Sequence, residues 1–141
     1  MTAAEEWLAQ ADPDPDHARL WLRQATILVL PVGHKWAVVR APADVGSAAV
    51  MLGATGPVMA VETEQRYYFL VAPETVETWE PLPDVACLGS DTWLEVPHPK
   101  VRTPPGPHWV IPPDGSGRLV DPDVLRANLI SAGESSARVQ P

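Results

Sequence analysis

Cysteine is nearly absent from this chain of 141 residues, which contains Cys87 alone. A single cysteine excludes an internal disulfide, and no Cys/His spacing typical of a zinc site is present. We expect Cys87 to be a small buried side chain. No apolar run approaches the roughly 18 residues that a membrane-spanning helix needs, and the acidic start "MTAAEEWLAQ" does not resemble a signal peptide. The sequence therefore predicts a cytoplasmic protein that does not enter a membrane.

Basic residues are also few. The chain has 10 Lys and Arg against 18 Asp and Glu, which gives a formal net charge of −8. Phosphate backbones bind to a surplus of Lys and Arg on one face, so this balance predicts weak binding or none to DNA or RNA. Lys100, Arg102 and Arg118 are the best candidates for a local basic patch. The alternative is that they are solvated loop charges.

Proline and tryptophan are abundant. Most of the 17 prolines follow Pro73, which predicts short strands and stiff loops in the second half of the chain. The six tryptophans anchor cores or interfaces. By their predicted positions, three belong to strands in the core (Trp36, Trp93 and Trp109) and three are candidate interaction anchors (Trp7, Trp21 and Trp79).

Helices and strands are predicted in an order typical of an α+β fold with a mostly antiparallel sheet. Two N-terminal helices come first, the first capped by Thr2 with Glu5. The second has its apolar stripe at Ala18, Trp21, Leu22 and Ala25. A buried strand over 26–32 is expected to pair with 35–42 as a hairpin. One central helix over 43–53 precedes five short strands, namely "GPVMAVET", "RYYFLVAP", "VACLG", "TWLEVP" and "HWVIPP".

A C-terminal helix is predicted after Asp121, with Val124, Leu125 and Leu129 as its apolar stripe and Gly133 at its end. The sequence thus predicts a single domain over residues 1–133 and a flexible tail over residues 134–141. We find no internal repeat.

Motifs for chemistry are scarce. Glu62 and Glu64 would point the same way on a strand and are a weak candidate for a metal site. The alternative is a solvated turn. His98 and His108 flank a proline-rich loop, where a shared metal or proton-transfer role competes with simple exposure. No GxSxG, Walker or HExxH motif is present, and we predict no cofactor.

Three stretches resemble a known family. They are "RYYFLVAPET", "DVACLGSDTWLEVPHPKV" and "HWVIPPDGSGRLVDP", and the likeness covers about His34 to Leu129. These stretches are similar to small actinobacterial proteins described as bifunctional DNA primase/polymerase, which look like shortened relatives of the Prim-Pol domain of the archaeo-eukaryotic primase superfamily. The resemblance implies a metal-binding DxD or DxE strand and a histidine that contacts the nucleotide phosphate.

The departures from that family decide the predicted function. No DxD or DxE stands near the expected place, and Tyr67 occupies the position of the histidine. A tyrosine hydroxyl is neutral at physiological pH and cannot replace an imidazolium. We therefore predict a degenerate site without catalytic residues and a non-catalytic module that contacts another protein, with a regulatory role; a homodimer remains open.

Two alternative functions remain at this stage. One is binding of a nucleotide or single-stranded nucleic acid through Tyr67 and the basic residues Lys100, Arg102 and Arg118. The other, weaker alternative is an active primase/polymerase with rearranged metal ligands, namely Glu62, Glu64 and Asp91.

Overall fold

Two antiparallel sheets and three longer helices make up the protein. A computed structural model describes the backbone of residues 1–139 and the side chains of residues 1–134. The elements in chain order are α1 (Ala3–Ala9), α2 (Pro15–Gln24), β1 (Ile27–Pro31), β2 (Ala37–Pro42), α3 (Ala43–Gly53), β3 (Val58–Val61), a 3-10 turn (Glu62–Glu64), β4 (Arg66–Val71), α4 (Thr75–Thr78), β5 (Ala86–Leu88), β6 (Trp93–Pro97), β7 (Pro107–Ile111) and α5 (Pro122–Val139).

The larger sheet has five strands in the order β5-β2-β4-β3-β7, and the smaller one pairs β1 with β6. Neighbouring strands are antiparallel throughout. The expected fold class, α+β with two N-terminal helices, one central helix and a C-terminal helix, is confirmed. None of the described helices is long and apolar enough to cross a membrane.

The central strand β4 is covered on both faces, as its lack of alternation predicts. Tyr68 to Val71 are all buried. The face that carries Tyr67 packs on α3, where Gly46 lies against the tyrosine ring, and α3 in turn packs on α5. The opposite face carries Met59 and Trp109, which face each other across β3 and β7.

Trp109 joins the two sheets. Its side chain is fully buried, and its Nε1 donates a hydrogen bond of 2.7 Å to the carbonyl oxygen of Pro97 at the end of β6. A buried indole N–H is usually paired with an acceptor, and here the acceptor is the carbonyl of the last residue of β6. The small sheet is therefore fixed to the large one at β7.

Helix ends follow the sequence signals closely. Thr2 and Glu5 form the predicted capping box at α1. Asp121 accepts hydrogen bonds from the backbone N–H groups of Asp123 and Val124 at the start of α5. α3 ends at Gly53, which has a φ of 123° that favours glycine.

The predicted hairpin between β1 and the following strand is wrong. β1 pairs with β6, and β2 pairs with β4 and β5. Gly33, with a φ of 97°, turns the chain out of the small sheet before β2 begins. The expectation of a fully buried β1 is wrong as well, because a two-stranded sheet is covered on one side only: Ile27 and Val29 are exposed, whereas Leu28 and Leu30 are buried.

The predicted end of the last helix is also wrong. α5 continues through Gly133 to Val139, so the segment expected to be a flexible tail begins inside the helix. The side chains after Glu134 and residues 140–141 lie outside the described part of the chain. In the predicted stripe of α5, Leu125 and Leu129 are buried, but Val124 is 46% exposed.

Candidate functional site

The six tryptophans divide differently from the prediction. Trp36 and Trp109 are buried, as expected for core residues. Trp93 is 62% exposed, so its predicted place in the core is wrong. Its strand alternates, and the position of Trp93 faces outward from the small sheet. A large exposed indole is unusual in a protein surface and marks a candidate contact site.

Of the three predicted interaction anchors, Trp21 is exposed and the other two are not free. Trp21 lies on α2 and is 46% exposed. Trp7 and Trp79 are half-buried and pack against the hydrophobic core. Trp79 also lines a cleft of about 320 Å³ with Arg126, and its Nε1 is buried without a hydrogen-bond partner among the described residues.

Exposed apolar side chains converge on the outer side of the small sheet. Trp21, Ile27 and Val29 line a shared cleft of about 160 Å³. On the same side, Trp93 of β6 stands opposite Pro31 of β1. We call the group of Trp21, Ile27, Val29, Pro31 and Trp93 the apolar face.

The size of the apolar face can be judged from its two indoles. A tryptophan side chain offers up to about 250 Å² of surface, so exposures of 46% and 62% leave about 270 Å² of indole accessible. The largest apolar patch of an ordinary monomer is about 300–600 Å² and is often functional. The two tryptophans alone approach the lower limit, before Ile27 and Val29 are counted.

Hydrogen bonds fix the orientation of Trp21. Its Nε1 lies 2.9 Å from Nε2 of His17, and Nδ1 of His17 lies 2.9 Å from Oδ2 of Asp12. An indole nitrogen only donates, so Nε2 of His17 is the acceptor and its Nδ1 donates to the carboxylate. This chain of bonds holds the indole at the rim of the apolar face.

The helix that carries Trp21 is itself held by an ionic contact. Arg19 donates to Glu6 of α1 at 2.6 and 3.0 Å and to Asp16 at 2.6 Å. The hydrogen bonds from Arg19, and next the one from Gln10, lower the pKa of Glu6 to about 2. α2 is therefore fixed to α1.

Charge near the apolar face is mainly negative. Glu95 faces outward opposite Val29, in the middle of the small sheet. Asp12 lines the cleft beside Trp21, whereas Asp16, exposed on the same helix, is already paired with Arg19. Together with the net charge of −8, the carboxylates of Glu95 and Asp12 favour a positively charged partner.

Tyr67 lies in a third cleft, at the edge of the large sheet. This edge cleft has a volume of about 270 Å³ and is also lined by Glu62, Arg66 and His108. Nδ1 of His108 lies 3.0 Å from the carbonyl oxygen of Gly106. Because a carbonyl only accepts, Nδ1 donates, and Nε2 is the nitrogen left free to accept in the neutral ring.

The proposed carboxylate pair does not lie on a strand. Glu62 and Glu64 belong to the 3-10 turn between β3 and β4, so the argument that a strand aligns them is wrong. Within residues 1–134, no three His, Cys, Asp or Glu side chains, Asp91 included, are grouped closely enough to hold a metal ion. Only Glu62 of the pair lines the edge cleft.

The two loop histidines have separate surroundings. His98 is buried; its Nδ1 accepts a hydrogen bond from the backbone N–H of Lys100, and its Nε2 lies 3.6 Å from Oε2 of Glu5. His108 lies in the edge cleft. His98 thus serves to connect the loop after β6 to α1.

The three basic candidates have different roles. Arg102 donates to the carbonyl oxygens of Trp109 and Val110, at 3.2 and 3.3 Å, and so covers the edge of β7. Arg118 lines a cleft with Asp114, whose pKa is lowered first by hydrogen bonds from Ser116 and less by Arg118. Lys100 is exposed.

Sequence reasoning missed Trp93 as a surface residue and gave no role to Arg40 and Arg66. The alternation in "TWLEVP" places Trp93 and Glu95 on one face, and an acidic neighbour on that face is a signal of exposure. For Arg40 and Arg66, the signal is an arginine within an otherwise apolar strand.

Comparisons with known proteins return no match: no family model, curated protein or solved structure matches this chain. The resemblance to Prim-Pol proteins therefore remains a prediction made from the residues quoted above.

Proposed function

We propose that this chain is a non-catalytic interaction module with a regulatory role, derived from a primase/polymerase-like fold and acting in the cytoplasm, and that it binds another protein through the apolar face. The observation that carries the proposal is the exposure of Trp93 on the outer side of the small sheet and of Trp21, which lines a cleft with Ile27 and Val29 of that sheet. Tryptophan is the residue most enriched among those that dominate binding energy in interfaces.

The apolar face would be the centre of a larger interface. A stable complex buries roughly 800 Å² on each partner, about three times the accessible area of the two indoles. The surrounding contacts must come from the polar rim, where Glu95 and Asp12 lie. The partner that suits this arrangement presents apolar side chains flanked by lysine or arginine.

A second copy of this chain suits the face less well. Each copy carries a net charge of −8, and two-fold pairing of the apolar faces would bring the Glu95 carboxylates of both copies into one interface. Like charges that face each other disfavour association by several kcal/mol. We therefore commit to a heterologous, basic partner.

The absence of catalysis is part of the proposal and rests on the sequence. No DxD or DxE stands near the expected place before "RYYFLV", and Tyr67 occupies the place of the family's histidine. Tyr67 and the exposed tryptophans are on different surfaces. Mutations can therefore test catalysis at the Tyr67 position and partner binding through the tryptophans separately.

Selection from a displayed peptide library on the purified protein tests the proposal. We expect the enriched peptides to combine Lys or Arg with large apolar residues. Trp93→Ser should weaken binding of a synthesised peptide about 30-fold, because truncation of an interface hot spot costs about 2 kcal/mol or more. Titration followed by isothermal calorimetry gives the dissociation constants.

The matched control is Leu52→Ser, which removes a side chain that is 56% exposed on α3 rather than on the small sheet. This variant should bind as the wild type does. Acidic peptides, or equal losses in both variants, would contradict the proposal. Sedimentation equilibrium that shows a dimer, with dissociation in Trp93→Ser, would identify a second copy as the occupant instead.

A further inference from the structure

Arg40 stands out among the side chains of the large sheet. It lies in the middle of β2, and its Nε is buried with no hydrogen-bond partner among the described residues. A buried donor on a charged group is costly when it has no acceptor. An acceptor from outside the chain would remove this cost.

A second arginine lies on the same face of the sheet. Arg40 stands directly opposite Tyr68 of β4, and Arg66 is two residues before Tyr68 on that strand. Side chains two apart on a strand share a face, and diagonal cross-strand neighbours lie about 7–8 Å apart. One tetrahedral oxyanion between the two guanidinium groups can therefore reach both.

Neither guanidinium forms an ion pair within the part of the chain whose side chains are described. The ion pairs among the described residues involve Arg19 and Arg126, but neither Arg40 nor Arg66. Asp and Glu outnumber Lys and Arg by 18 to 10 in this chain, yet neither Arg40 nor Arg66 has a carboxylate within ion-pair distance among the described residues. The acidic residues near this group are Glu62, which lines a cleft with Arg66, and Glu64, both in the turn before β4.

Tyr68, which is opposite Arg40 and two residues from Arg66, carries a hydroxyl group on the same face of the sheet. Burial, and next the charge of Glu64, raise the pKa of Tyr68, while the charges of Arg40 and Arg66 lower it. The hydroxyl thus keeps its proton and can donate a hydrogen bond. Beside Arg40, β5 places the small side chain of Ala86.

From this arrangement we infer that Arg40, Arg66 and the hydroxyl of Tyr68 form a binding site for a dianionic oxyanion, either free phosphate or a phosphomonoester. Two guanidinium groups match two negative charges, and planar N–H donors suit phosphate oxygens. The site lies on the large sheet, so it is distinct from the apolar face and does not depend on the proposed function.

Calorimetric titration of the full chain with inorganic phosphate at low salt tests the inference. We expect saturable binding at pH 8 that weakens as salt rises. Arg40→Gln and Arg66→Gln should each weaken it at least about tenfold, the loss that corresponds to one charge-assisted hydrogen bond. Tyr68→Phe should weaken it less. Arg23→Gln, on the exposed side of α2, is the matched control and should bind normally.

Three outcomes would overturn the inference: no saturable phosphate binding by the wild type, an equal loss in Arg23→Gln, or acetate binding as tightly as phosphate. If Arg40→Gln does not fold, phosphate binding by Arg66→Gln tests the inference instead. Arg66 is the first residue of β4, so its substitution should disturb folding less. A second titration uses glycerol 3-phosphate. If glycerol 3-phosphate binds more tightly than inorganic phosphate, the site is assigned to a phosphomonoester; if it binds more weakly, the site is assigned to the free ion.

Discussion

Gly46 and Gly133 offer a test of how the large sheet is packed. Both lie inside helices, α3 and α5. By helix propensity, alanine at either place should stabilise the protein by up to about 1 kcal/mol. The structure distinguishes the two positions. A Cβ at Gly46 would lie 2.7 Å from Cβ of Tyr67 and 2.9 Å from its Cγ, whereas one at Gly133 would meet no atom of a neighbouring element within 4 Å among the described residues.

The contact at Gly46 decides whether alanine at this position stabilises or destabilises the protein. Cβ and Cγ of Tyr67 are fixed to the backbone of β4 and cannot swing aside, so α3 or the strand must shift. Overpacking of this kind costs about 1–3 kcal/mol, which cancels or exceeds the gain in propensity. We expect Gly46→Ala to lower the free energy of unfolding by about 0–2 kcal/mol and Gly133→Ala to raise it by about 0.5–1 kcal/mol.

Urea unfolding followed by tryptophan fluorescence measures both changes. For a domain of this size, 1 kcal/mol corresponds to roughly 3–4 °C in Tm, so thermal unfolding resolves the two variants as well. NMR shifts of Tyr67 should change in Gly46→Ala and stay constant in Gly133→Ala. A Gly46→Ala protein as stable as the Gly133→Ala protein would refute the packing of α3 on Tyr67.

Two further predictions concern contacts between elements. Trp109→Phe removes the donor to the Pro97 carbonyl and leaves a small cavity, so urea unfolding should show that the free energy of unfolding falls by about 2–3 kcal/mol. A fall of less than about 1 kcal/mol would contradict the role of Trp109 in connecting the two sheets. Glu6→Gln should lower Tm at neutral pH. Since the pKa of Glu6 falls from 4.5 to about 2 on folding, its contribution is complete above pH 4.5 and is lost toward pH 2. A Tm difference that does not narrow over this range contradicts the Arg19 contact.

Local signals in the sequence located most elements because each is set by neighbouring residues. The capping box of Thr2, the Asp121 cap and the stop at Gly53 depend on three or four consecutive positions. The pairing of β1 does not depend on neighbouring residues. Its partner β6 is more than 60 residues away along the chain, and nothing in "TILVLPV" shows that β1 pairs with β6 and not with the next strand in the sequence. The prediction that α5 ends at Gly133 was wrong, because a glycine can also adopt helical φ and ψ and the helix continues through it.

The candidate sites were harder to predict because they depend on which face of a strand is covered. "TILVLPV" reads as a continuous apolar run, and such a run does not show that Ile27 and Val29 lie on an open side. For the same reason the sequence did not predict that Arg40 and Arg66 share a face, because this follows only from the register of β2 against β4. Tyr67 was located because the resemblance pointed to one residue, independent of the topology.

The two-stranded pairing of β1 with β6 explains why this protein has an exposed apolar surface at all. A sheet of two strands has a buried side only where something packs against it, and here the inner side meets the large sheet through Trp109 and Pro97. Every second residue of β1 must then face outward, yet two of these positions, Ile27 and Val29, are apolar. Stability does not require apolar residues there, because polar side chains would leave the inner side unchanged. Their presence, beside an indole that His17 holds in place, is the reason why we propose that another protein covers this surface.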